Sequence, residues 1–144
     1  MIGEFMLDCF IIGDSIAKGI SDVRPECAHV VKSGINSRDW INKNHDLYIE
    51  AKNVIISLGT NDLKNINTYE ELKSLRQMVW GTRVFWILPA IDKPSVKDSV
   101  FRVSQEFGDV LLPIPEVSPD KVHPTYKGYK KLAEETKTSS GKNN

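Results

Sequence analysis

The chain has 144 residues, 40% of them hydrophobic and 26% charged, the size of one ordinary domain that buries about two-thirds of its unfolded surface in a single core. Its 19 Lys and Arg cancel 19 Asp and Glu, so nothing in the net charge favours a nucleic-acid or membrane-surface partner over a small neutral molecule. No run approaches the ~20 apolar residues of a membrane span and the N-terminus lacks a basic start, so a cytoplasmic location is the default expectation, with packaging in a virus particle or export by another route reading the same.

Two cysteines, Cys9 and Cys27, are too few for a disulfide scaffold or a zinc site and are expected to be reduced and packed. Residues 5–12 read as a first strand, continuously apolar towards its end like a parallel strand buried on both faces. It stops at Gly13-Asp14-Ser15, and a helix follows from Ser15 to about Asp22. Residues 28–32 form a second strand that runs into Ser33-Gly34-Ile35-Asn36-Ser37, with Ser37 as N-cap of a short helix to about Asn44. Val54-Ile55-Ile56-Ser57-Leu58 is the clearest strand and ends at Gly59-Thr60-Asn61-Asp62. Thr68 with Glu71 forms a capping box, and Leu72, Leu75, Met78 and Val79 recur at helical spacing through Trp80 to Gly81. A fourth strand covers 83–88, a helix about 95–107, and a fifth strand 110–112. A proline-rich loop from Pro113 to Pro124 precedes a last helix from Thr125 to about Lys137. The chain is thus expected to be one domain over 1–137 with a polar, disordered tail at 138–144. Strands and helices alternating at this spacing predict an α/β fold, a three-layer α/β/α sandwich with about five parallel strands in the flavodoxin-like order 2-1-3-4-5. That order sets the carboxyl ends of strands one and three side by side.

Ser15 follows a strand end and opens a helix, the position at which α/β proteins bind and transform ligands, and reads as a nucleophile. Of three histidines, His29 sits in a strand, where a satisfied, partly buried ring is the usual outcome, and His45 sits in a solvated loop. His123 has Asp120 three residues before it, between Pro119 and Pro124 that stiffen the segment. A histidine base needs an acceptor on its second ring nitrogen, and Asp120 fits that role, although the same residues also fit an ordinary loop. Asn61 reads either as βα turn chemistry or as an amide donor facing a developing oxyanion. Gly34 reads either as a turn glycine or as a place where a substrate approaches the backbone N–H. Scattered histidines and cysteines predict no metal. Gly13 to Gly19 fits neither the dinucleotide nor the phosphate-loop glycine pattern, and Ala17 stands where the nucleophile elbow has its second glycine. Lys127, Lys130, Lys131 and Lys137, interleaved with Glu134 and Glu135, read as a solvated helix face.

Taken in order, Gly13-Asp14-Ser15 with Gly19, Gly34, Gly59-Thr60-Asn61-Asp62 and Asp120-x-x-His123-Pro124 resemble the SGNH (GDSL-type) hydrolases over residues 10 to about 130. The resemblance implies Ser15 as nucleophile, His123 as base and Asp120 as its orienter. It implies an oxyanion hole made by the N–H groups of Ser15 and Gly34 and the Asn61 side chain. It also implies the flavodoxin-like sheet and hydrolysis of esters or thioesters without metal or organic cofactor. The short chain and tight loops leave little for a lid or a long acyl groove, which favours a small acyl group such as acetyl on a sugar. The expected partner is a small-molecule or carbohydrate ester, with no nucleic acid and no membrane insertion. A thioesterase or lysophospholipase-like hydrolase, and a silent binding or structural module on the same fold, are the competing readings. The sequence carries no signal for oligomeric state.

Overall fold

Strands that are apolar on both faces require cover on both faces, and the computed structural model, which describes residues 6–137, shows how the chain provides it. Among the described residues, five strands alternate with five helices: β1 Leu7–Gly13, α1 Ser15–Asp22, β2 Ala28–Val31, α2 Ser37–Asn44, β3 Ile49–Ser57, α3 Thr68–Arg76, β4 Val79–Leu88, α4 Pro94–Glu106, β5 Val110–Pro113 and α5 Tyr126–Glu135. The strands are parallel and lie in the order β2-β1-β3-β4-β5, as expected. The tail at 138–144 lies outside the described residues. No helix among them is long and apolar enough to cross a membrane.

The side-chain alternation of β1 separates two cores. Phe10 and Ile12 join Val54, Ile56, Trp40, Leu72, Trp86 and Val100 beneath α2, α3 and α4. Cys9 and Ile11 join Ile16, Ile20, Ile55, Phe85 and Leu132 beneath α1 and α5. Each strand therefore contributes to both layers, which is the physical content of the three-layer arrangement.

Three local expectations are corrected. The third helix stops at Arg76, and Val79, Trp80 and Gly81 belong to β4, paired with Ile49, Glu50 and Ala51. Helical spacing of Met78 and Val79 loses there to a β-branched and aromatic run that extends the sheet. The caps of α2 and α3 sit one residue earlier than expected, at Asn36 and Asn67. Ser37 and Thr68 are instead drawn inward by Asp62, as described below. His29 is exposed on the edge strand rather than partly buried.

The largest correction concerns the cysteines. Cys9 and Cys27 are joined in a disulfide with Cα atoms 4.9 Å apart. The parallel register explains it: Phe10 pairs with Ala28, so the residues just before them lie side by side at the start of β1 and β2. Both are nearly inaccessible, within the core beneath α1 and α5. The bridge closes a loop with a sequence separation of 18, and a loop of that length is worth about 3 kcal/mol of stability. Urea unfolding with and without a reductant is expected to show a loss of that order, and thiol titration of the unfolded, unreduced chain is expected to find no free thiol. Two free thiols and an unchanged midpoint would refute the pairing.

Candidate active site

The site grows from one glycine. Gly13, at the end of β1, pairs with Val31 on one side and Ser57 on the other, so three strand ends are level at this point. Its φ is +139°, and a Cβ here would overlap the Ser57 carbonyl; only glycine lets the central strand lie this close. The Asp14 N–H then donates to Ser57 O at 3.0 Å, which turns the chain off the sheet and into α1. Asp14 is the N-cap: its Oδ1 accepts from Ile16 N at 3.0 Å and Ala17 N at 3.4 Å, and from Ser57 Oγ at 3.0 Å. Ser15 is the first residue of the helix and is only partly buried, so its hydroxyl reaches the surface while Asp14 beneath it is fully enclosed.

From the other end of the chain, the segment before α5 brings His123 to Ser15. Ser15 Oγ and His123 Nε2 are 2.8 Å apart, across 108 residues of sequence. His123 Nδ1 lies 2.7 Å from Asp120 Oδ2. An ionised carboxylate only accepts, so Nδ1 carries the proton and donates it to Asp120; Nε2 is then the acceptor for the Ser15 hydroxyl. Asp120 is itself fixed: its Oδ1 accepts from Ser118 Oγ at 2.7 Å, Val122 N at 2.8 Å and His123 N at 2.9 Å. The hydrogen bonds from His123 and these backbone groups hold its carboxyl well below the usual carboxylate range. The tight turn is completed by Lys121 at φ +64°, a left-handed conformation that non-glycine residues seldom adopt.

The two further candidates share a second cluster. Gly34 occupies the turn closed by Ile35 N–H donating to Lys32 O at 3.2 Å, with φ +81° and open space where a Cβ would be. That φ suits the third residue of a type II turn. Asn61 Nδ2 donates to Ile35 O at 3.1 Å. One amide hydrogen is spent in this way, which leaves the second available and places the Asn61 amide one residue from Gly34.

Asp62 went unrecognised in the sequence and organises this cluster. It is buried, with Oδ1 accepting from Ser37 N at 2.8 Å and Oδ2 accepting from Ser37 Oγ at 2.6 Å and Thr68 Oγ1 at 2.7 Å. The loop carrying Gly34 is thereby tied to the loop carrying Asn61. Lys93 adds a strap by donating from Nζ to Thr60 O at 2.8 Å and Asp62 O at 3.0 Å. The available signal was a run of Ser and Thr at helix starts next to an extra carboxylate. Tyr129 was also missed: its ring lies against Gly19 and fastens α5 to α1. Burial, with the fields of Asp14 and Asp120, pushes its phenol up to about 12.

Asp14 makes a testable electrostatic prediction. Burial pushes its carboxyl up from 3.8 to about 6, opposed in part by the hydrogen bonds from Ser57, Ile16 and Ala17. Its Oδ2 is buried without a hydrogen-bond partner. In the unfolded chain the group ionises near its ordinary value, so the folded state holds the extra proton between the two values. Stability should therefore fall as pH rises from about 4 to about 6, by up to about 3 kcal/mol. Urea unfolding of Asp14→Asn, which keeps the capping oxygen, should lack this slope; a wild type and variant with parallel pH profiles would contradict it.

No family model and no curated protein matches the chain by sequence. Solved structures do. A GDSL-like lipase from Bacteroides thetaiotaomicron superposes with TM-score 0.58 at 17% identity, over 89% of this chain and 84% of that one. The catalytic domain of peptidoglycan O-acetyltransferase A from Streptococcus pneumoniae, carrying a methylsulfonyl adduct, superposes with TM-score 0.57 at 14% identity, over 90% of this chain and 89% of that one. With the sheet order 2-1-3-4-5 and the helices on both of its faces, the chain shares the three-layer α/β/α fold of the GDSL-like lipase and the O-acetyltransferase domain.

Proposed function

We propose that the protein is a serine ester hydrolase that works through an acyl-serine intermediate. The observation that carries the reading is the hydrogen-bonded relay Ser15–His123–Asp120, at 2.8 and 2.7 Å, on this fold. Ser15 Oγ attacks the ester carbonyl while its proton passes to His123 Nε2. The carbonyl π electrons move onto oxygen, and the N–H groups of Ser15 and Gly34 and the free Asn61 amide hydrogen serve as its donors. The C–O bond to the alcohol breaks as the imidazolium returns the proton to the leaving oxygen. Water then gives a proton to Nε2 as its oxygen attacks the acyl carbon, and the bond from that carbon to Ser15 Oγ breaks as Nε2 returns the proton to Oγ, releasing the acid. Asp120 holds the tautomer and faces the positive ring through both halves. Every step uses groups of this chain.

Short acyl groups are the first reading of the substrate, supported by the likeness to a domain whose name carries O-acetyl transfer. A second reading, a longer acyl group, is favoured by a cavity of about 500 Å³ that begins at Asp62, next to Asn61, where Leu63, Ile66, Pro94 and Val96 line it together with Lys64, Asp92 and Lys93. The Cys9–Cys27 disulfide supports an oxidising working environment over the cytoplasmic default, since cytosolic thiols are kept reduced.

A series of chromogenic esters from acetate to long chain tests the reading. Wild type is expected to cleave at least the acetate. Ser15→Ala and His123→Ala should each lose at least about 10⁴-fold in kcat, and Asn61→Ala roughly 10²-fold. A wild type that cleaves none of the series and resists a serine-reactive phosphonate would leave the silent binding module as the better account, and rates that climb with chain length would select the longer acyl group.

A further inference from the structure

Beside Gly34 the surface opens into a cleft of about 310 Å³ whose lining includes Lys32, Gly34, Asp39, Asn42 and Lys43. A second hollow of about 220 Å³ runs along the edge strand β2 and shares Lys32, Ile35 and Lys43 with the first. One wall of this cleft is thus the turn that carries a proposed oxyanion donor. With the Gly34 N–H as a donor to the substrate oxygen, this cleft is the space next to the bound carbonyl.

The cleft is cationic and its cations are uncommitted. Lys32 opens the Gly34 turn and is held there by its own backbone: its N–H donates to Gly13 O at 3.0 Å and its carbonyl accepts from Ile35 N at 3.2 Å. Lys43 projects from the last turn of α2. Lys18, Lys52 and Lys137 pair with Asp22, Asp8 and Glu134, whereas neither Lys32 nor Lys43 forms an ion pair among the described residues. The carboxylate in the cleft, Asp39, is partly spent, since its Oδ2 accepts from Asn36 Nδ2 at 3.2 Å and it lies in the first turn of α2, where the helix dipole offsets its charge. Asp39 and the Asn42 amide offer an acceptor and donors at the spacing of one helical turn, a pair suited to hydroxyl groups. A separate cavity begins at Asp62, the residue after Asn61, and mixes Leu63, Ile66, Pro94 and Val96 with Lys64, Asp92 and Lys93. The cleft beside Gly34, with two lysines, a carboxylate and an amide in its lining, suits the polar alcohol half of an ester.

We infer that the cleft beside Gly34 receives the alcohol portion of the ester and that this portion is an acidic carbohydrate, its anionic group held by Lys32 and Lys43 and its hydroxyls by Asp39 and Asn42. The inference rests on the esterase reading above. Its energetic scale is that of two exposed charge contacts, about 1 kcal/mol or less each, hence a preference of roughly tenfold. Such contacts weaken as salt screens them.

The test compares kcat/KM for an O-acetylated methyl uronide, an O-acetylated sugar phosphate and the O-acetylated neutral glycoside, at low and high salt. The wild type is expected to favour at least one acidic ester by about tenfold at low salt, less at high salt; which of the two is favoured identifies the anion. Lys43→Ala should cut the acidic-to-neutral ratio about threefold, Lys43→Arg should restore it, and the double variant Lys32→Ala/Lys43→Ala should bring it to about one. Equal rates on acidic and neutral esters, unaffected by salt, would overturn the inference and leave the esterase reading standing. Failure to cleave any ester, with Ser15 unlabelled by a fluorophosphonate, would remove the esterase reading and this inference with it.

Discussion

The backbone hydrogen bonds around Gly13 hold the functional end of the molecule together. Ser57 O receives the Asp14 N–H, and Gly13 O receives the Lys32 N–H. These two bonds bring the chain segments that follow β1, β2 and β3, which carry Ser15, Gly34 and Asn61, off the sheet at one level. The arrangement requires a residue without a side chain at position 13, because the neighbouring carbonyl fills the place of its Cβ. A site at the topological switch point of a parallel sheet is the general consequence, and here it can be traced to named bonds.

The remaining parts arrive from a distance and are fastened by separate means. The loop before α5 is pinned by Ser118 N–H on His123 O at 2.8 Å and Thr125 N–H on Glu116 O at 2.9 Å. The helix α5 is fastened to α1 by Tyr129 against Gly19, and at its far end by buried Arg24, whose Nη1 donates to Ala133 O at 3.1 Å and Thr136 Oγ1 at 2.9 Å. These contacts hold His123 in register with Ser15 without a covalent link between them. Asp62 does the equivalent work for the Gly34 and Asn61 loops through three buried hydrogen bonds. Buried carboxylates of this kind stabilise geometry only when their oxygens are satisfied; Asp62 meets the condition, and Asp14, with one oxygen unpartnered, meets it in part.

Much of this was legible in the sequence because the signals were local and consistent. Continuous apolar runs marked the strands, glycine-terminated strand ends marked the loops of interest, and an Asp three residues before a His between prolines marked the pair that the structure joins. What escaped were effects decided by tertiary partners. Ser37 and Thr68 have the side chains of N-caps, yet Asp62 recruits both, and the neighbouring Asn36 and Asn67 take over the capping. Val79 and Trp80 continue a helical period, yet the edge of β3 captures them. The disulfide was hidden for the same reason: Cys9 and Cys27 become neighbours only once β1 and β2 pair in parallel through the α1 crossover. Asp62 stood in the strand-end motif without a role, because nothing in its own stretch reveals that two helix starts will point at it.

The open setting of the relay also bears on function. Asp120 and His123 are half-exposed, with side-chain exposures of 50% and 40%, so the order of the His123 ring comes from hydrogen bonding rather than from enclosure. Covalent acylation of Ser15 is read most directly by quenching the enzyme within its first turnovers of an activated acetate ester and mapping the acetyl group by peptide mass spectrometry. The relay predicts an acetyl adduct on the peptide containing Ser15 that decays with turnover and is missing in Ser15→Ala. Turnover that persists undiminished in Ser15→Ala, or an adduct that maps only to lysines, would contradict it.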